Sequence, residues 1–128
     1  MNGQIIVVED ELNYAKMIKM RLEAVGYKVT IANDAYSGTQ QIIKNDFDLI
    51  ILDLNMPAGG GFSLLERIRK FPAKASLPVI ILTGSNVNEE TVRNAKNLGV
   101  SAIFSKPYDP PKFLRAVEKL VQRSASEA

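Results

Sequence analysis

Short apolar runs and segments of helical period alternate along this chain. Ile5-Ile6-Val7-Val8 is followed by Leu12, Ala15, Ile18, Leu22 and Val25 at steps of three or four, a strand and then an amphipathic helix. Gly26 suits the C′ position of that helix, where a left-handed backbone costs a glycine little. Lys28-Val29-Thr30-Ile31-Ala32 reads as a second strand, and Asn33 or Asp34 caps a weaker helix through Ile42 and Ile43. The pattern returns with Leu49 to Leu52 before Phe62, Leu65 and Ile68. It returns again with Pro78 to Leu82 before a helix over residues 88–97. Last come Ala102-Ile103-Phe104 and a helix carrying Phe113, Leu114, Val117, Leu120 and Val121, with Asp109 as its N-cap and Pro110 at its first position.

Strands that are apolar without alternation are covered on both faces, and short connections to helices favour parallel pairing with right-handed crossovers. The expectation is an α/β fold: a five-stranded parallel sheet, doubly wound, of (βα)5 type. Residues 1–123 form one domain, and residues 124–128, Ser-Ala-Ser-Glu-Ala, read as a C-terminal tail or truncated linker.

Composition narrows the chemistry. With 128 residues, 46% of them hydrophobic, the chain can bury a core of its own. A net charge of +2 without a long run of one sign gives no electrostatic case for nucleic acid. The absence of Cys and His excludes disulfides, thiolate or imidazole metal sites, and Cys or His nucleophiles. No apolar run reaches the length of a signal core or a membrane span, so the cytoplasm is the expected location.

In an open α/β sheet, function gathers beyond the carboxyl ends of the strands. Strand one ends there in Glu9-Asp10, strand three in Asp53, strand four in Thr83 and strand five in Ser105-Lys106. Each has an ordinary explanation taken singly: Glu9 and Asp10 as cap and first-turn acids, Asp53 and Gly59-Gly60-Gly61 as turn and flexible connection, Lys106 as a solvated loop residue. Together they place carboxylates, a hydroxyl and an amine at one sheet edge, and capping explains only the first. Three carboxylates offset by one lysine call for a cation, and an oxygen-only donor set suits Mg²⁺ (or Mn²⁺), with Asp10 and Asp53 as direct ligands. Beside such a cation and an ammonium, Asp53 can act as nucleophile toward a phosphoryl group while Thr83 donates a hydrogen bond.

These residues resemble the receiver domains of two-component response regulators over nearly the whole chain. The shared motifs are Glu9-Asp10, Asp53-Leu54-Asn55-Met56-Pro57 with Gly61 further on, Thr83-Gly84 and Lys106-Pro107. The resemblance implies the flavodoxin-like strand order 2-1-3-4-5 and a phosphoryl group accepted by Asp53 from a phosphohistidine on a sensor histidine kinase or phosphotransfer protein. It implies that the Asn55 carbonyl is the third metal ligand, that Glu9 holds a water of the metal shell, and that the Lys106–Pro107 peptide is cis. Phosphorylation would draw Thr83 and Lys106 inward and switch the face formed by helix four, strand five and helix five. That face would signal to an effector domain or partner protein, as a monomer or a phosphorylation-linked homodimer. The chain departs from the family at Ile103, where an aromatic commonly rotates with the Thr; Phe104 has the opposite parity and is expected in the core. Asn55 and Ser85 are expected to tune slow self-dephosphorylation.

The alternative of another class is a Mg²⁺-dependent haloacid-dehalogenase-type phosphatase, which shares the Asp nucleophile. Such an enzyme needs an Asp two residues after the nucleophile as general acid and base, where this chain has Asn55. A nucleotide-binding module is not supported either, since neither a P-loop nor a dinucleotide fingerprint is present.

Overall fold

The computed structural model describes residues 3–56, 60–84 and 87–127. Strands β1 (Gln4–Val8), β2 (Lys28–Ala32), β3 (Leu49–Leu52), β4 (Val79–Thr83) and β5 (Ala102–Ser105) alternate with helices α1 (Leu12–Glu23), α2 (Ala35–Lys44), α3 (Gly60–Ile68), α4 (Glu89–Asn97) and α5 (Pro110–Glu127). All strand pairs are parallel, in the order β2-β1-β3-β4-β5, the flavodoxin-like arrangement that the family resemblance implies. A short 3₁₀ turn, Pro72–Lys74, precedes β4 and has no counterpart in the hydrophobic pattern.

Side-chain alternation along the strands divides the core in two. Ile6, Val8, Ile50, Leu52, Val79 and Ile81 pack with Ile42, Leu64, Leu65, Ile68 and Ala95 of α2, α3 and α4. Ile5, Val7, Leu49, Ile51, Ile80 and Leu82 pack with Ala15, Ile18, Leu22, Phe113, Val117 and Val121 of α1 and α5. Both faces of the sheet are therefore covered, which is why the three central strands β1, β3 and β4 lack polar alternation. Caps mark the helix ends: Asp34 receives the Ser37 N–H, Asn88 the Thr91 N–H and Asp109 the Lys112 N–H. Gly26 closes α1 in a left-handed conformation, φ 101°. Helix α5 continues through Ser124 to Glu127, so the segment read as a tail is helical up to that residue.

Two local devices fix the connections at the two edges of the sheet, one at the carboxyl edge and one at the amino edge. Gly60 and Gly61 open α3 against the loop that follows β3. A Cβ on Gly61 would meet the Asp53 carbonyl oxygen at 2.9 Å and Leu52 Cγ at 3.1 Å, and one on Gly60 would meet the Leu54 oxygen at 2.6 Å. These glycines let the helix start directly on the Asp53 backbone, a closer constraint than the flexible connection their sequence allowed. On the opposite side, the half-buried Arg69 donates from Nε to Leu98 O (2.8 Å) and from its terminal nitrogens to Lys74 O (2.7 Å) and Gly99 O (3.4 Å). The guanidinium ties the 3₁₀ turn to the end of α4. The buried Lys74 likewise donates to Asn45 O at 2.8 Å.

Both devices are measurable by urea unfolding. Gly61→Ala overpacks backbone that cannot give way, and after the helix gain of alanine is allowed for it should cost about 1–2 kcal/mol. A neutral or stabilising result contradicts the close approach. Arg69→Ala leaves carbonyls unsatisfied and should cost about 2–3 kcal/mol, and a loss within error would show that those bonds contribute nothing net.

Candidate functional site

Strand register builds the site. β1 and β3 pair Val8 with Leu52, so the next residue on each strand, Glu9 and Asp53, leaves the sheet beside the other. The ladder runs one bond further on both: Glu9 N donates to Ala32 O at 3.0 Å and Asp53 N to Val8 O at 3.1 Å. These bonds hold the two acids where mutual repulsion would otherwise part them. Glu9 and Asp53 are buried while Asp10 lies exposed at the rim, and a carboxylate oxygen from each of the three lies within 4.8 Å of the others. The N-cap of α1 is Glu11, which accepts from the N–H groups of Asn13 and Tyr14. The capping role considered for Glu9 and Asp10 is thus filled by their neighbour.

Lys106 arrives from the edge strand. Thr83 pairs with Ser105, and Lys106 N then donates to Thr83 O at 3.0 Å. Its side chain, only 18% exposed, donates from Nζ to Glu9 Oε1 and to Asp53 Oδ2, the latter at 3.3 Å. From β5 to β3 is two strand spacings, roughly 10 Å, which the long lysine stem helps to span. The Lys106–Pro107 peptide is cis. The other carboxylate oxygens are also engaged: Asp53 Oδ1 accepts from Asn55 N at 3.0 Å, and Glu9 Oε2 from Glu11 N at 3.2 Å.

The electrostatics follow from this crowding. Burial pushes Glu9 up to about 7, against the opposing pull of Lys106 and the Glu11 N–H, and its neighbour Asp53 pushes in the same direction as burial. For Asp53 burial also pushes upward, but the Asn55 N–H, a hydrogen bond shared with Glu9 and the Lys106 ammonium outweigh it and hold the carboxyl below its usual value. Lys106 is raised: the two carboxylates overcome the burial that would lower it. One ammonium is set against three acids, so the cluster has the charge and the donor chemistry that a hard divalent cation satisfies.

The remaining expected residues are distributed around this centre. Thr83 is wholly buried at the end of β4, on the strand beside Asp53. A Cβ on Gly84 would meet only Lys106 Cδ, at 3.9 Å, so the position has room. Asn55 is exposed, its backbone turned toward Asp53. Ile103 packs against the core on the α3 and α4 side, while Phe104 lies in the opposite layer, edge-on to Phe113 at 5.7 Å. Ser85 and Pro57 lie outside the described residues.

One participant escaped the motif pattern. The Tyr14 ring lies under the Lys106 ammonium, 4.3 Å from nitrogen to ring centroid. Tyr14 is four positions beyond Asp10 on α1, in sequence an ordinary half-buried helix residue; only the folded chain brings it to Lys106.

Comparison with known proteins gives one answer. A family model described as the response regulator receiver domain matches residues 5–118. The "Probable transcriptional regulator ycf29" of Porphyra purpurea is 33% identical over 125 residues, covering 98% of this chain and 59% of that protein. The "Transcriptional regulatory protein DltR" of Streptococcus agalactiae is 31% identical over 122 residues, 95% of this chain and 53% of the relative. The chain therefore spans little more than half the length of these curated relatives. Among solved structures, a CheY-like receiver domain protein from Methanospirillum hungatei superposes with a TM-score of 0.90 at 27% identity over 100% of both chains. The non-phosphorylated HemR receiver domain of Leptospira biflexa is 33% identical, with a TM-score of 0.82 over 93% of this chain and 94% of that one. These matches favour a receiver over the haloacid-dehalogenase-type phosphatase. Because the family match begins within β1 and ends within α5, the chain belongs to the response regulator receiver family, a phosphoacceptor signalling domain and not a classical enzyme.

Proposed function

We propose that Asp53 is the phosphoacceptor and takes its phosphoryl group from a phosphohistidine of a sensor histidine kinase or phosphotransfer protein. The observation that carries this reading is the register-enforced pairing of Asp53 with Glu9 under a single bridging ammonium. A carboxylate oxygen of Asp53 attacks phosphorus, the phosphorus–nitrogen bond breaks, and the imidazole leaves with that electron pair and is neutral once protonated. An acyl phosphate remains on Asp53. Asp53 enters as the anion because the Asn55 N–H and Lys106 oppose the effect of its burial. Lys106, once Asp53 is phosphorylated, turns its donors to the new phosphoryl oxygens, and the Thr83 hydroxyl supplies another donor from β4.

Asp10, Asp53 and the Asn55 carbonyl would hold Mg²⁺ (or Mn²⁺), with Glu9 in the shell beyond. When bound, that cation supplies positive charge against the phosphoryl oxygens. Asn55 and Ser85, both with small polar side chains and neither a strong base, tune slow loss of the phosphoryl group. The conformational output passes through α4, β5 and α5 to an effector domain or a partner protein, as a monomer or a phosphorylation-linked dimer. Among the described residues no helix is long and apolar enough to cross a membrane, which agrees with action in the cytoplasm.

Intact mass after incubation with acetyl phosphate tests this reading. A phosphoryl increment labile to hydroxylamine is expected with Mg²⁺ present, and none for Asp53→Asn or without the metal. Phosphate release over many turnovers without an adduct would revive the phosphatase. Neither adduct nor turnover would make this chain a binding module.

A further inference from the structure

Lys106 has three N–H donors, and the two carboxylates engage two of them. Toward the remaining side lies the face of Tyr14, its centroid 4.3 Å from Nζ, well inside the range of cation–π attraction. The ring is braced. The Tyr14 N–H is bonded to Glu11 Oε2 at 2.9 Å in the capped first turn of α1. The ring itself meets Tyr108 edge-on at 6.4 Å, Tyr108 lies 4.6 Å from Phe113, and Phe113 is edge-on to Phe104 at 5.7 Å. This column of aromatic rings runs from the site into the layer between the sheet and α1 and α5. A phenol titrates at about 10 and is neutral at physiological pH, and burial raises the Tyr14 hydroxyl further, so the ring keeps its attraction for the cation.

We infer that Tyr14 is a positioning residue for phosphoryl transfer, holding the Lys106 ammonium over Asp53 through the face of its ring. The inference rests on the phosphoacceptor reading of Asp53. When Asp53 is phosphorylated, Lys106 must leave its carboxylate partners and meet the phosphoryl oxygens. A π face lets the ammonium make that movement while still sheltered from water, since it attracts the charge without fixing one hydrogen-bond direction. Leucine at this position would supply apolar bulk but no such attraction, and phenylalanine would keep the ring without the hydroxyl.

The test compares wild type, Tyr14→Phe and Tyr14→Leu for the rate of phosphorylation by acetyl phosphate at saturating Mg²⁺, with thermal unfolding and Mg²⁺ affinity measured alongside. Tyr14→Leu should react about fivefold more slowly with unchanged Mg²⁺ affinity, while Tyr14→Phe stays within about twofold of wild type. In proton NMR the Lys106 ε-methylene resonances should be shifted upfield by the ring in wild type and Tyr14→Phe, and this signature, which general packing does not produce, should vanish in Tyr14→Leu. Should the leucine variant fail to fold, Tyr14→Met replaces it as the variant that keeps apolar bulk without a ring face, with the same expectations. Ordinary lysine shifts in wild type, a wild-type rate for Tyr14→Leu, or equal slowing in both variants overturns the inference. A wild-type protein that takes up no phosphoryl group fails at the underlying reading instead, and the upfield shift then reports ring placement alone.

Discussion

Two carboxylates side by side at the end of a sheet repel each other, and the strand register gives them no choice. Val8 faces Leu52 in the central pair of strands, the ladder bonds of Glu9 and Asp53 continue past them, and buried acids result. A lone buried charge costs several kcal/mol unless it is compensated, so the remaining features of the edge are compensations. Lys106 bridges both acids, backbone N–H groups from Asn55 and Glu11 take an oxygen of each, and Glu9 is pushed up toward neutrality. The surplus of negative charge that remains is what a divalent cation and an electrophilic phosphoryl group can use. Backbone hydrogen bonds thus hold the acids together, and Lys106 offsets only part of their charge.

The arrangement also bears on how a change at Asp53 travels. Ile103 stands where an aromatic commonly moves with the switch hydroxyl, and it sits in the layer shared with α3 and α4, packed among aliphatic side chains. Tyr14, Tyr108, Phe113 and Phe104 lie instead in the other layer, in contact one after another from Lys106 to β5, whereas Phe47 and Phe62 belong to the layer of Ile103. Arg69 meanwhile ties the end of α4 to the turn before β4, so movement of α4 is restrained at its C-terminal end. Around Ile103 the α4 side of the sheet is packed with aliphatic side chains, and the connected series of rings lies on the α1 and α5 side.

Much of this was legible in the amino-acid sequence because buried parallel strands announce themselves as apolar runs, and the residues that end those runs must converge. Asp10, Asp53, Thr83 and Lys106 needed only that topology. Glu11 was hidden by its neighbours: three acids in succession do not reveal which one caps the helix, since the answer depends on which carboxylates the register draws into the site. Gly60 and Gly61 read as flexible, yet they matter for a Cβ they lack against a backbone brought close by folding. Tyr14, Arg69 and the 3₁₀ turn were not legible, because their partners lie in distant segments and no local period signals them. Local pattern reveals elements and their ends; contacts through long side chains belong to the tertiary structure.

The carboxyl edge sets three acids against Lys106, an excess of negative charge that a hard cation would balance. Isothermal titration calorimetry with Mg²⁺ tests it most directly, comparing wild type with Asp10→Asn, because Asp10 is exposed and its loss should leave the core intact. The account predicts a single Mg²⁺ site in the wild type and a large loss of affinity in Asp10→Asn. No binding at millimolar Mg²⁺, or equal binding by both proteins, would contradict it.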